Sequence, residues 1–246
     1  MTSTIATCLS YISNDYLLML VAVLFYIFSK RTEYAHLIIL LLFAMIYKAI
    51  LKDLLKIPAP VTSPTKYGFP SGHINFATMF FGWFMITHKS KLLYFLCPAA
   101  LALASLSTIY LGYHDISDVL LTPILPVCFL TTYYVFLRNV EQDKFMIIFI
   151  TISFALQILS VTLIGHLPID VAIGSYGILG FGVATSLIQR RYHQIALCLC
   201  TLFTYLLIAG NFSKFLNYCV WFGLFGVFPI INHIITKCKR RWHSHR

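Results

Sequence analysis

Two histidines, an aspartate and a lysine lie at spacings in this chain that suit phosphoryl chemistry. The segment Phe69-Pro70-Ser71-Gly72-His73 immediately precedes an apolar run. Proline and glycine favour a tight turn there, and Ser71 is a good helix N-cap. Backbone N–H groups at such a helix start point at one spot and the helix dipole adds positive potential, so Ser71 and Gly72 frame an anion site. His73 falls in the same turn, placed to donate a proton to a bound anion. Further on, Tyr113-His114-Asp115-Ile116-Ser117-Asp118 brings a carboxylate close after an imidazole. A carboxylate near a histidine fixes its tautomer and supports positive charge on the ring, which suits a nucleophile or a base. Lys52, shortly before Pro58-Ala59-Pro60, offers a cation. A lone loop histidine is ordinarily a solvated residue. Two of them with an aspartate, a lysine and a helix-start anion nest form a constellation, with His73, His114 and Asp118 as candidate catalytic residues.

The elements that must position these groups are membrane helices. Apolar residues make up 59% of the 246 residues, charged residues 11%, and the mean hydropathy is +0.83. A soluble domain is nearer a quarter charged, so this chain cannot cover its surface with water-compatible groups. Only helices and closed barrels satisfy the backbone in lipid, and continuously apolar rather than alternating runs exclude a barrel. The expected fold is an all-α polytopic bundle of about nine transmembrane helices, each roughly 20 residues long. They are placed near 14–30, 34–52, 73–88, 92–112, 117–137, 145–164, 169–188, 194–210 and 215–236. The N-terminus carries no basic residue before Lys30, so it lacks the charged region of a cleavable signal peptide.

The net charge of +10 reads as orientation rather than as a nucleic-acid footprint. Alternate loops collect Lys30, Arg31, Lys89, Lys91, Arg138, Lys144, Arg190, Arg191 and the basic tail. The opposite loops hold only Lys52, Lys56, Lys66 and Lys214, with Lys48 inside a span. The basic side is then cytoplasmic, with the N-terminus outside and the C-terminus inside. Both histidine motifs fall on the extracytoplasmic face. Most of the seven cysteines sit in apolar runs without a Cys-x-x-Cys pair and read as packing residues.

Taken together, these motifs resemble the type 2 phosphatidic acid phosphatase superfamily. Its pattern is Lys-x6-Arg-Pro, then Pro-Ser-Gly-His, then Ser-Arg-x5-His-x3-Asp. Lys52 and Pro60 match the first motif, with Ala59 in place of its arginine. Pro70, Ser71, Gly72 and His73 match the second in full. Ser107, His114 and Asp118 match the third at its spacing, with Thr108 in place of its arginine. The likeness spans roughly residues 40–125 and divides the chain into 1–138, a lipid-phosphatase-like core, and 139–246, further helices with a basic tail. It implies that His114 attacks phosphorus and becomes a phosphohistidine, that Asp118 orients it, and that His73 protonates the leaving alcohol. Lys52 and the N–H groups of the Ser71–Gly72 turn would hold the phosphate oxygens, with no metal and no other cofactor. The implied partner is a membrane lipid phosphate: a phosphatidic acid, phosphatidylglycerophosphate or polyprenyl pyrophosphate. The implied location is the plasma (inner) membrane, with the site on its outer side.

The departure from that pattern is informative. A bidentate arginine–phosphate contact is strong, and one lost donor at such a site costs roughly 2.7–4 kcal/mol. Three readings stay open. Lys56 and Lys66, flanking Ala59, substitute as phosphate ligands; or the substrate is a less charged phosphodiester and the protein a head-group transferase using the same His–His–Asp set; or it is a catalytically inactive lipid-binding homologue. In the C-terminal half, Gly174, Gly177, Gly180 and Gly182 give one helix a small face for close packing. His166 and Asp170 repeat the His-x3-Asp spacing, which reads as coincidence. The tail Lys237-Cys238-Lys239-Arg240-Arg241 suits anionic lipids of the inner face.

Overall fold

The computed structural model describes residues 3–29, 32–63, 65–140, 142–188, 223, 225–227, 229–231 and 233–235. These residues are helical wherever they are regular, and their one β-type pairing is an isolated bridge between Pro58 and Tyr67. α1 (Ser3–Ser10) runs through a short 3-10 turn (Tyr11–Ser13) into α2 (Asp15–Phe28). The two meet at 46°. The bend sits at Asn14, whose backbone is extended (φ −67°, ψ 125°) while its side chain caps α2 by accepting from the Leu17 N–H at 3.1 Å. α3 (Glu33–Leu55) follows, then α4 (Gly72–His88), α5 (Lys91–Tyr110), α6 (Ile116–Leu121), α7 (Ile124–Asn139), α8 (Gln142–Ile164) and α9 (Ile169–Ile188).

Seven of the nine expected apolar runs thus form helices; the run at 117–137 is interrupted between α6 and α7, which together make one candidate span, Ile116–Asn139. Pro123 lies in the break, where a residue without an N–H cannot continue the backbone ladder. The expected span 194–210 lies outside the described residues, and most of 215–236 does too. Among the described residues, four helices are long and apolar enough to cross a membrane, or five if the bent α1–α2 pair is one span. Nine crossings is therefore more than these residues display. α4 falls short at 17 residues. In α9 the described apolar stretch ends at Ala184.

The surface of these helices is what a bilayer requires. Only 22% of the apolar window of α5 and 28% of that of α8 is buried, so residues such as Phe95 and Leu163 stand exposed. Contiguous apolar surface of this extent is unstable in water and comfortable in lipid. The protein is a helical membrane protein.

Two compact units divide the chain: residues 1–22 with 47–139, and residues 23–46 with 140–246. In the first, α4 is the central element, packed against α5 and α7. Gly82 allows this closeness, since a Cβ there would lie 2.5 Å from Leu130 Cδ1. Buried Trp83 meets the edge of Tyr133 with ring centroids 5.6 Å apart. Nearer the motifs, Ile74, Ala104 and Val119 form a small core cluster, lined by Leu101 and Ile109. It ties the starts of α4 and α6 to the end of α5, which are the segments that carry the second and third motifs. In the second unit α9 packs through its glycines as expected: a Cβ on Gly174 would sit 2.4 Å from the Leu42 carbonyl oxygen, and one on Gly177 2.7 Å from the Leu42 side chain.

Candidate active site

The helix-start turn takes the form its sequence implies. Ser71 is extended (φ −64°, ψ 121°) and its hydroxyl accepts from the Ile74 N–H at the N-terminus of α4. Its own N–H donates to Thr122 Oγ1 at 2.9 Å, while the Thr122 hydroxyl donates to the Asp118 carbonyl at 2.6 Å. One threonine therefore fastens the Pro-Ser-Gly-His turn to the helix that carries Asp118. That residue was not among the sequence candidates. Its bond to Asp118 is an ordinary i to i−4 helix contact, and the partner that gives it a role, Ser71, is remote from it in sequence.

His114 and Asp118 are both buried, and His114 Nδ1 faces Asp118 Oδ2 at 3.9 Å across the first turn of α6. That is too long for a hydrogen bond. Both atoms are buried without another hydrogen-bond partner, so the pair is set face to face and left open. Unsatisfied buried groups are rare in folded proteins and concentrate where chemistry or a ligand completes them. Gly68 packs against the pair: a Cβ there would lie 2.4 Å from Asp118 Oδ2, and its backbone hydrogen-bonds the His114 ring. Burial, followed by the charges of Lys52 and His73, lowers the His114 pKa from the usual 6.5 to about 4. The ring is accordingly neutral near pH 7, as a nucleophile must be.

Lys52 closes α3 and donates from Nζ to the Tyr67 carbonyl at 3.2 Å. Its charge acts on His73, His114 and Asp118, and that of His73 acts on His114. The four expected residues thus share one electrostatic neighbourhood. A loop spans the gap between Lys52 and the turn. It is closed by the Pro58–Tyr67 bridge, by Gly68 N–H to the Ile57 carbonyl (2.9 Å) and by Ala59 N–H to the Lys66 carbonyl (3.2 Å). Its tip is pinned to the loop before His114 by the Thr62 hydroxyl, which donates to the Gly112 carbonyl at 2.7 Å. Gly112 is left-handed (φ 69°), a conformation that favours glycine.

At the positions where the family carries arginine, the side chains cannot clamp an anion. Ala59 has only its backbone to offer. The Thr108 hydroxyl is turned back onto its own helix, donating to the Ser105 carbonyl, as Ser107 does to Ala104. Lys56 and Lys66 are exposed, and Lys66 lies over the Tyr67 ring at 5.1 Å. The charges that do act on His73, besides Lys52, are Asp15 and Lys48, two residues outside the sequence candidates. Lys48 stands one helical turn before Lys52, a spacing that could have flagged it. Asp15 is distant in sequence and gave no such signal. His166 is exposed in the loop before α9 and Asp170 lies in the first turn of that helix, in the second unit.

A buried His–Asp pair, a lysine and a second histidine at a capped helix start are the groups that a phosphatase-type site in a helical membrane protein would use. The family model of the PAP2 superfamily matches residues 33–142, and over that segment the chain is similar to the PAP2 superfamily. The match takes in α3 to α7 and all three motifs. No curated protein and no solved structure matches the chain.

Proposed function

We propose that this protein is a membrane-embedded lipid phosphatase that hydrolyses a lipid phosphomonoester or pyrophosphate through a phosphohistidine. The observation that carries the proposal is the buried, unsatisfied His114–Asp118 pair beside Lys52 and His73. In this reading the lipid phosphate lies against the N–H groups of the Ser71–Gly72 turn, with Lys52 neutralising its oxygens. The neutral His114 ring attacks phosphorus. The P–O bond to the lipid breaks as a P–N bond forms, and His73 donates a proton to the departing oxygen. Asp118 stabilises the charge that develops on the His114 ring. Water, deprotonated by His73, then breaks the P–N bond and frees phosphate. Lys56 and Lys66, exposed on the loop, meet the head group from the water side.

Charge segregation along the chain supports a site on the extracytoplasmic face, with the N-terminus outside, about nine crossings and a cytoplasmic basic tail. Ser63, in the loop that follows Lys52, is a suitable reporter. A cysteine placed there in otherwise cysteine-free protein should react with an impermeant maleimide added to intact cells. Labelling only after permeabilisation would reverse the topology.

A second reading, head-group transfer between lipids, is favoured by the uncharged Ala59 and Thr108, since a phosphodiester needs fewer cations than a phosphomonoester. Purified protein in detergent distinguishes the two. Incubated with phosphatidic acid, phosphatidylglycerophosphate or a polyprenyl pyrophosphate, it should release inorganic phosphate, and His114→Ala should lower the rate by at least about 10³-fold. Head-group exchange without phosphate release would establish the transferase. No turnover of any of these lipids would leave a binding protein.

A further inference from the structure

We propose that Lys48 is a phosphate-binding residue of this site, supplying the charge missing at positions 59 and 108, and that Asp15 is the counter-ion that holds it while the site is empty. The inference rests on the phosphatase reading only for its kinetic readout. Lys48 and Lys52 are one turn apart on α3 and so share a face. Lys48 Nζ lies 3.0 Å from Asp15 Oδ2, with side chains 8% and 21% exposed. The pair is seated on the anion-binding turn itself. A Cβ built on Gly72 would be 3.5 Å from Lys48 Nζ and 3.7 Å from Asp15 Oδ2. The ammonium and the carboxylate therefore lie beside the start of α4, where the helix dipole also favours an anion.

A purely structural ion pair fits these observations less well. Desolvation makes a buried pair a weak source of stability unless its remaining hydrogen-bonding capacity is met, and Asp15 Oδ1 is buried with no hydrogen-bond partner. The ammonium is further supported by the face of Phe76, 5.4 Å from the ring centroid. An ammonium has three donors, so Lys48 can hold Asp15 and still turn a proton toward a phosphate oxygen. An incoming dianion competes with one carboxylate for it. The site then offers two lysines and the α4 N–H groups where the family pattern offers one lysine and two arginines.

Calorimetric binding of inorganic phosphate to the full chain in detergent tests this independently of turnover. The variants are Lys48→Ala, Lys48→Arg, Asp15→Asn and the double variant Lys48→Met/Asp15→Asn, with thermal unfolding as the check on folding. Losing a charge-assisted hydrogen bond should weaken phosphate binding at least about tenfold in Lys48→Ala and in the double variant. Lys48→Arg should restore it to within a few-fold, and Asp15→Asn should tighten it. On a turned-over lipid the Lys48→Ala loss should fall mainly on KM. A folded double variant that binds phosphate as the wild type does would overturn the proposal and leave the pair structural. Should both Lys48 variants lacking the charge unfold, Asp15→Asn decides: tighter binding upholds the inference and unchanged binding rejects it. Phosphate binding that depends on Lys48 in a protein without turnover would sink the phosphatase reading and leave this one standing.

Discussion

At the level of single residues, the candidate site centres on a histidine whose surroundings keep its ring neutral. Burial lowers the His114 pKa from 6.5 to about 4, with Lys52 and His73 contributing. Between those values the unfolded chain binds a proton that the folded protein does not, so stability falls as the pH drops through that window. Above about pH 6.5 the contribution is fully present. Thermal unfolding followed from pH 7 to pH 4 should therefore show a falling midpoint, and His114→Gln should flatten that fall. A parallel slope in the variant would mean that another group governs it. The acid limb of kcat/KM, which reports the free enzyme, should likewise lie near pH 4 rather than 6.5. Gly68 acts on the same pair. A methyl group at 2.4 Å from Asp118 Oδ2 must push the carboxylate aside. Gly68→Ala should lower kcat by about 10²-fold, the scale of a small misplacement of a catalytic group, with helix content unchanged by circular dichroism.

At the level of elements, the site depends on how three helix ends are held together. Ser71 caps α4 through a local rule, and that part was legible in the sequence. The link from this turn to α6 was not. It runs through Thr122, which accepts from Ser71 N–H and donates to the Asp118 carbonyl. Thr122→Val keeps the shape and removes both bonds, leaving a buried N–H unpaired at a cost of about 1–3 kcal/mol. The variant should unfold at lower denaturant and lose kcat as the two motifs drift, whereas Thr122→Ser should restore both. The break between α6 and α7 belongs to the same scale. Apolar periodicity ran straight across Pro123, and α6 and α7 do form one candidate span, Ile116–Asn139, in which the proline only interrupts the hydrogen-bond ladder.

At the level of the whole molecule, packing by small residues is the expectation the structure supports most directly. Gly174 lies so close to Leu42 that a Cβ would clash with its backbone oxygen, which cannot rotate away as a side chain can. Gly174→Ala should destabilise the second unit by about 1–3 kcal/mol in spite of the better helix propensity of alanine. Gly223→Ala, where no atom of the described residues lies within 4 Å, should cost nothing in the same detergent unfolding measurement. Equal effects at the two positions would argue against the close helix approach.

What the sequence determined by itself was local. Runs of apolar residues set where helices form, Ser71 sets where α4 begins, and the His-x3-Asp spacing places His114 in the loop just before α6 and Asp118 in its first turn. Each of these follows from interactions between residues within a few positions of one another, which periodicity and capping encode directly. Tertiary structure decided the rest. It set Thr122 under Ser71, Gly68 against Asp118, and Asp15 beside Lys48 at the start of α4. These contacts join segments some 30 to 50 residues apart. No local propensity specifies them, because they arise only when helices pack and a buried charge or N–H must find a partner in the space that remains.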